Sequence, residues 1–208
     1  KNCVVEKFQI SNETITFNCL ENSLPFPINE ALEKAISLVP FQNNFNKEIL
    51  QIKGLKEGEY DLFIQEKLIN TFSSKELNEG VNLSNQLNSP QLQQAKKITK
   101  LCKEYRKTGY QLRAVPLIEF KYLRDYRGAN NLLGKQKHLE KKLKIIEGKP
   151  FYNYIKRSID VYFETLPKQD SLKNRLQLIE NSIYEENKPT QLKWRLVKNM
   201  KQSSYQKM

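Results

Sequence analysis

Apolar and polar residues alternate along part of the stretch from Lys53 to Leu83, and this pattern predicts a compact β-unit. Tyr60 to Gln65 has the period-two alternation of a strand with one buried face. We expect Glu66-Lys67 to turn the chain, so that Leu68 to Phe72 returns as the second strand of a hairpin. None of these residues is an obvious catalyst, so the stretch predicts architecture and no chemistry.

A capped helical turn is predicted directly after this hairpin. Ser73 and Glu76 have the S-x-x-E spacing of a capping box, in which the hydroxyl and the carboxylate each bind a free backbone N–H at the helix start. Gly80 is placed to end the turn with a positive φ angle, which glycine adopts without steric cost.

Two more strands are predicted near the start of the chain, Val4 to Ile10 and Thr14 to Leu20, joined by a turn at Ser11-Asn12. Each is expected to have one buried face: Val4, Phe8 and Ile10 on the first strand, and Ile15, Phe17 and Cys19 on the second. The pattern then predicts a helix capped by Asn29, with apolar positions Leu32, Ala35, Ile36 and Val39, and a strand from Glu48 to Ile52. Five or six strands before residue 85 would form a small sandwich-like unit.

The three cysteines, Cys3, Cys19 and Cys102, lack the C-x-x-C spacing of zinc and redox motifs. Pairing Phe8 with Ile15 would put Cys3 and Cys19 on opposite faces of the first hairpin, which disfavours a disulfide between them. We therefore expect free, packed thiols.

Helical patterns dominate from residue 89 onward. Ser89 as cap and Pro90 at the first helical position predict a helix start, and Gly109 predicts the end of that helix. A second helical stretch, complicated by Pro116, is expected to reach about Tyr126. A loop at Gly128 to Asn131 should precede three more helices, at about Leu133 to Ile146, Pro150 to Leu166 and Ser171 to Glu186.

The end of the chain returns to a different pattern. Pro189 ends the last helix, and Gln191 to Val197 is predicted to be extended. The patterns together predict an α+β fold with two domains, a β-rich, sandwich-like domain over residues 1–88 and a basic, mostly α-helical region over residues 89–208.

Lysine and arginine are concentrated in the second half. Residues 1–88 carry 8 basic side chains against 12 acidic ones, whereas residues 89–208 carry the other 27 against 11. The resulting net charges, −4 and +16, raise the hypothesis of a nucleic-acid surface, since aromatics lie among the cations at Tyr105-Arg106 and Phe151 to Arg157. No helix-turn-helix, RNA-recognition or zinc-finger signature accompanies the charge. We therefore favour lysines that solvate helix faces or meet an acidic neighbouring domain.

The chain offers little catalytic chemistry. Its single histidine, His138, lies in a highly charged helix with only Glu140 placed to orient it, so a solvated surface histidine is the favoured interpretation. The sequence has no G-x-S-x-G, P-loop or G-x-G-x-x-G motif, and no acidic cluster has metal-ligand spacing. No apolar run approaches the roughly 20 residues of a membrane span. We predict no catalytic, cofactor-binding or metal-binding residue in this chain.

Short motifs with a structural character are spread along nearly the whole chain. In the first half they are Ser23 to Pro27, Glu48 to Leu55, Gly58 to Leu62, Thr71 to Ser73, Glu76-Leu77 and Gly80 to Leu83. In the second half they are Ser89-Pro90, Lys149 to Ile155, and Ile183 followed by Asn187-Lys188-Pro189. This set resembles the region that follows the catalytic domain in bacterial SGNH (GDSL-type) hydrolases.

The resemblance implies the C-terminal accessory region of an esterase or acylhydrolase that acts on acyl esters, including those of carbohydrates. The family's catalytic serine lies in a Gly-Asp-Ser block and its histidine in an Asp-x-x-His block, and neither block occurs here. The region is therefore expected to be non-catalytic on its own, to need no cofactor, and to have its own missing N-terminal catalytic domain as its partner. Lys1 would be a processed or cut end, and a secreted or periplasmic location is implied.

Two alternatives stay open. A stand-alone carbohydrate- or protein-binding module would expose aromatic side chains on the β-rich half. A nucleic-acid-binding protein would instead use the basic helical half and would bind with a steep salt dependence.

Overall fold

The computed structural model describes residues 2–28, 33–36 and 38–200, which form helices and antiparallel strands and confirm the predicted α+β fold. The strands are β1 (Cys3–Ser11), β2 (Thr14–Glu21), β3 (Ile49–Leu50), β4 (Glu59–Ile64), β5 (Lys67–Ser73), β6 (Val81–Asn82) and β7 (Leu192–Lys198). The helices are α1 (Glu33–Ile36), α2 (Phe41–Asn44), α3 (Ser74–Glu79), α4 (Pro90–Leu117), α5 (Leu132–Ile145), α6 (Tyr152–Thr165) and α7 (Gln169–Glu186). A π-helical turn, Ile118–Tyr122, follows α4, and a 3₁₀ turn, Leu166–Lys168, precedes α7.

The described chain divides into two compact units. The first takes in residues up to Lys100 together with those from Tyr184 onward, and the second is Leu101–Ile183. This division differs from the predicted boundary at residue 88, because the start of α4 and the C-terminal strand β7 both belong to the first unit. The physical reason lies in β7, whose apolar face is buried only when the strand joins the sheet of the first unit.

The sheet of the first unit has the order β1-β2-β7-β4-β5, so the last strand in sequence is the central one. Trp194 of β7 pairs with Phe17 of β2 on one side and with Ile64 of β4 on the other, both antiparallel. The predicted extended segment at Gln191 to Val197 is thus a strand, and it joins two hairpins that are far apart in sequence.

One face of this sheet is the core of the first unit. Its buried residues are Ile15, Phe17, Cys19, Tyr60, Leu62, Ile64, Ile69, Phe72, Leu77, Leu83, Leu192, Trp194 and Leu196. Four partly buried residues from β3, β6 and their flanks pack against it: Leu50, Ile52, Leu55 and Val81. The predicted alternation in β4 is confirmed, since Tyr60, Leu62 and Ile64 are buried.

The β4–β5 hairpin turns one residue earlier than predicted. Gln65 and Glu66 have φ angles of 52° and 59°, and Ile64 pairs with Lys67 across them. Two successive positive φ angles give a turn whose twist matches that of the flanking strands. The Glu66 carboxylate also accepts hydrogen bonds from Arg195 Nη2 at 2.9 Å and Lys193 Nζ at 3.2 Å, which ties the turn to β7.

The prediction of a buried face on β1 is wrong. All nine residues of β1 are exposed, and the exposed fractions of Val4, Phe8 and Ile10 are 50%, 58% and 70%. β1 is the outer strand, and the elements that cover the sheet do not reach it. The predicted pairing of Phe8 with Ile15 is also wrong, because Ile10 pairs with Ile15.

A β-bulge causes the difference in register. Lys7 has a φ of 50°, and the pairing shifts between Glu6 and Gln9, so that two residues of β1 face one residue of β2. Beyond the bulge Val5, rather than Val4, pairs with Cys19. The extra residue of the bulge moves the side chains beyond it to the opposite face of β1. The prediction that Cys3 and Cys19 lie on opposite faces of the hairpin is therefore wrong.

The predicted capping box is confirmed. The Glu76 backbone N–H donates to Ser73 Oγ at 3.2 Å, the Ser73 N–H donates to Glu76 Oε2 at 2.8 Å, and Gly80 has a φ of 103°. Since these bonds satisfy two otherwise free N–H groups, Ser73→Ala is expected to lower the free energy of unfolding by about 1 kcal/mol. Urea unfolding followed by the fluorescence of Trp194 measures this. The neighbouring change Ser74→Ala leaves the box intact, and an equal loss there would contradict the prediction.

The start of α4 is as predicted, but its end is not. Ser89 Oγ accepts the Leu92 N–H at 3.2 Å and caps the helix, which begins at Pro90. Gly109 does not stop it: the helix continues through Pro116 to Leu117 and then widens into the π-helical turn. A glycine inside a helix lowers the stability of that helix by only about 1 kcal/mol, and the hydrogen-bonded turns on either side of Gly109 offset this loss.

The helix predicted near the start of the chain is only partly described. Its expected cap, Asn29, and its first apolar position, Leu32, lie outside the described residues.

The second unit has its own helical core. Its buried members are Ala114, Val115, Ile118, Leu123, Leu139, Ile159 and Tyr162. The predicted helices match α5, α6 and α7 to within about two residues. Among the described residues, no helix combines the length and the apolarity that crossing a membrane requires.

Candidate functional site

His138 does not sit in a catalytic arrangement. Its Nε2 lies 3.4 Å from Asp125 Oδ1, and the ring of Tyr126 packs beside the imidazole with the centroids 5.2 Å apart. Lys142 Nζ donates to Asp125 Oδ1 at 2.6 Å and lowers the pKa of that carboxyl. The acidic neighbour is thus Asp125 rather than Glu140, and the side chain is half-buried rather than solvated. No hydroxyl or thiol of the described residues is hydrogen-bonded to His138 Nε2.

A partly buried polar cluster in the second unit is structural rather than catalytic. The Tyr162 hydroxyl donates to Glu119 Oε1, which also accepts from Lys135 Nζ at 2.8 Å. Burial and the bond to Glu119 raise the pKa of Tyr162. Burial also raises the pKa of Glu119, but the hydrogen bonds from Lys135 and Tyr162 outweigh it and leave that pKa lowered. Each group is satisfied by the others, and neither acid is tuned toward neutral pH, as a general acid or base would be.

The first unit contains a cavity of about 470 Å³ with both aromatic and titratable walls. Phe17 and Trp194, stacked with their centroids 5.6 Å apart, contribute to its lining, and Phe26 and Phe45 add exposed rings. Exposed aromatics on the β-rich half are what the binding-module alternative predicts. The polar side chains of the lining are Asn2, Cys3, Cys19, Glu21, Ser23, Asn46, Lys47, Glu48 and Gln51.

A carboxyl pair, Glu21 and Glu48, is the most perturbed group in this cavity. Burial, and then the nearby charge of Glu21, raise the pKa of Glu48 to about 8. The pKa of Glu21 is raised too, chiefly by burial. Gln91 Nε2 donates to Glu48 Oε1 at 3.1 Å, whereas Glu48 Oε2 is buried without a hydrogen-bond partner among the described residues. With a pKa of about 8, the Glu48 carboxyl is protonated at neutral pH.

The two thiols of the cavity are close to each other, against the prediction that they face apart. Cys3 pairs with Glu21 and Val5 pairs with Cys19, which places both thiols on one face of the β1–β2 hairpin. Burial, followed by the charge and the hydrogen bond of Cys3, raises the pKa of Cys19 to about 12. Both cysteines are free, and Cys19 is a thiol at neutral pH rather than a nucleophilic thiolate.

This chemistry suits binding better than catalysis. Covalent catalysis needs a nucleophile activated by a base, whereas Cys19 and Glu48 are held here in their protonated forms. A concave, half-apolar cavity with a few convergent polar groups is the usual form of a small-molecule site. Within the described part of the chain, no group of three His, Cys, Asp or Glu side chains is placed to hold a metal ion.

The sequence carries no local signal for this cavity. Glu21, Glu48 and Gln91 come from three separate segments, and Trp194 arrives from the far end of the chain. Their proximity depends on β7 entering the sheet and on the loops that cover it. A signal could have come only from noticing that Glu21 continues the buried alternation of Ile15, Phe17 and Cys19.

Comparison with known proteins gives a fold and no family. No family model matches the sequence, and no curated protein matches it. One solved structure with a TM-score of 0.77 is that of a gut microbial diltiazem-metabolizing enzyme, 24% identical to this chain. The match covers 96% of this chain and 46% of the enzyme, so the chain spans just under half the length of that protein. At this identity the likeness shows a shared fold over nearly the whole chain.

Proposed function

We propose that this chain is the C-terminal accessory region of an SGNH (GDSL-type) ester hydrolase and is not catalytic on its own. One observation carries the proposal: nearly all of this chain matches less than half of an enzyme. A fold that makes up part of a larger enzyme agrees with the motif resemblance, which runs from Ser23 to Pro189 and concerns the part after the catalytic domain.

The bond class of the whole enzyme rests on the motif resemblance, which implies an esterase or acylhydrolase. On this proposal, acyl esters, including those of carbohydrates, are the substrates of the whole enzyme.

The geometry of the described residues supports the non-catalytic role. His138 is held by Asp125 and Tyr126, and the buried thiol of Cys19 is protonated. These are the chain's only histidine and one of its three cysteines. A serine hydrolase needs a hydroxyl within hydrogen-bond reach of a histidine base, and among the described residues no hydroxyl is hydrogen-bonded to His138 Nε2.

The purified chain is expected to hydrolyse p-nitrophenyl acetate, longer p-nitrophenyl esters and diltiazem no faster than buffer. Spectrophotometric release of p-nitrophenol and chromatography of diltiazem measure this. His138→Ala is the matched control, since it removes the only side chain that could act as a histidine base. Hydrolysis by the chain that disappears in His138→Ala would overturn the proposal.

The coding sequence upstream of Lys1 provides an independent test. A Gly-Asp-Ser block and an Asp-x-x-His block there would place the active site in the same polypeptide. An upstream sequence without either block would contradict the assignment to an SGNH-type enzyme.

A further inference from the structure

A groove of about 850 Å³ runs along α4 on the second unit. One wall is the stretch of α4 from Lys103 to Pro116, and Leu176 of α7 lies on the other side. The residues that line it are Lys103, Tyr105, Arg106, Lys107, Gly109, Tyr110, Leu112, Arg113, Pro116 and Leu176. Four of these ten are cations and none is an acid.

The four cations form a stripe along the helix. They are Lys103, Arg106, Lys107 and Arg113, and Tyr110 lies among them. Successive cations are three, one and six positions apart, which places them on one side of neighbouring turns of α4. At 1.5 Å of rise per residue, the stripe is about 15 Å long. All four cations are exposed, so their charges face solvent within the groove.

No internal counter-charge neutralises this stripe. Among the described residues, none of the four cations forms an ion pair. The one acid on this stretch of α4, Glu104, is paired instead with Arg175 of α7 at 3.6 Å. Like charges three and four residues apart on a helix repel each other, so the stripe lowers helix stability unless an external anion occupies the groove.

The shape and aromatics of the groove argue against nucleic acid. A helix that reads duplex DNA must protrude into the major groove, whereas this stripe lines a concavity. Single-stranded nucleic acids stack their bases on exposed aromatic faces. Here Tyr105 and Tyr110 are half-buried, and the guanidinium of Arg113 already lies over the Tyr110 ring, 5.9 Å from its centroid.

We propose that this groove binds an acidic polysaccharide through the carboxylate or sulfate groups along its chain. A stripe of about 15 Å with alternating arginine and lysine can pair with several charges of an extended glycan, and arginine forms two parallel hydrogen bonds with one carboxylate. The choice of a glycan rests on the proposed function, which includes carbohydrate esters; the anionic character of the ligand rests on the groove alone.

The test uses the full chain and labelled fragments of polygalacturonate and dextran sulfate, with neutral dextran and single-stranded oligothymidine as the other arms. Fluorescence anisotropy gives each Kd at low and at raised salt. One or both acidic glycans should bind more tightly than oligothymidine, neutral dextran should not bind, and raised salt should weaken binding.

Variants with equal net charge locate the site. The triple change Lys103→Gln, Arg106→Gln, Lys107→Gln should weaken acidic-glycan binding about tenfold, as expected for the loss of three exposed ion pairs. The matched control is Lys137→Gln, Lys141→Gln, Lys144→Gln on α5, which removes three exposed, unpaired lysines and should change Kd less than about twofold. Circular dichroism of both variants checks that the helices remain folded.

Three outcomes would overturn the proposal: an equal loss in both variants, tightest binding of oligothymidine, or no binding of either acidic glycan. None of them bears on whether an upstream active site exists, so failure here is distinguishable from failure of the proposed function.

Discussion

Leu196→Ala should lower the free energy of unfolding of the first unit by about 2–5 kcal/mol, the usual cost of a leucine-sized cavity in a well-packed core. Leu196 is 0% exposed and lies on the central strand β7. It pairs with Ile15 of β2 and with Leu62 of β4, both of them buried. The cavity would therefore be lined by the neighbouring strands on both sides of β7, and neither hairpin could close it without breaking its pairing with β7.

The fluorescence of Trp194 reports this loss directly, because the chain has one tryptophan and it lies two residues from the substitution. Urea unfolding should show the midpoint moving to lower denaturant with an unchanged slope. Leu87→Ala is the matched control, since Leu87 belongs to the same unit but is 67% exposed, and its loss should stay within about 0.5 kcal/mol. If the two variants were equally stable, β7 would not be the centre of the core.

Stability of the first unit should fall as pH rises from about 5 to about 8, by more than about 1 kcal/mol. The folded state keeps the proton of Glu48 up to a pKa of about 8, because the site is buried and Glu21 lies beside it. The unfolded chain releases that proton near the ordinary pKa of 4.5. Between these values the folded state binds more protons than the unfolded state, so each increase in pH favours unfolding.

Glu48→Gln should remove most of this pH dependence and raise stability at about pH 8, since the neutral amide takes the place of the protonated acid. Urea unfolding at about pH 5 and pH 8, followed by Trp194 fluorescence, measures both effects. Glu57→Gln removes an exposed carboxylate of the same unit and should retain the wild-type slope. An identical slope in wild type and Glu48→Gln would contradict the assignment of the retained proton to Glu48.

Features built within a few residues were predictable from the sequence. The capping box of Ser73 and Glu76 and the start of α4 at Ser89-Pro90 depend on contacts three residues apart, and both are confirmed. The alternation in β4 was equally readable, because Tyr60, Leu62 and Ile64 share the one face that the fold buries. In the two caps the groups involved meet whatever the rest of the chain does, whereas the alternation in β4 required only that one face be covered.

Errors arose where distant parts of the chain set the outcome. Val4, Phe8 and Ile10 have the pattern of a buried strand, but none of the described elements covers the outer edge of the sheet at β1. The bulge at Lys7 then changed the register, which brought Cys3 and Cys19 to one face. A period-two pattern states that a strand has two different faces, and it does not state whether either face is covered.

The cavity with the Glu21–Glu48 pair is likewise decided by contacts between distant parts of the chain. Glu48, 27 positions from Glu21, acquires its raised pKa only when the fold removes water from it and brings the Glu21 charge close. Their sequence context is ordinary, so no motif could have singled them out. The same holds for the cationic groove, where helical spacing predicts the stripe but only the packing of α7 against α4 makes it concave.

Hydrophobic periodicity, caps and charge asymmetry were sufficient to establish an α+β chain with a β-rich first part and a basic helical second part. They could not establish that residues 192–198 form the central strand of a sheet begun nearly two hundred positions earlier. Strand pairing is a contact between segments remote in sequence, and burying the apolar face of Leu192, Trp194 and Leu196 is what selects it. That placement also brings Trp194 to the wall of the cavity and assigns residues 192–198 to the first unit.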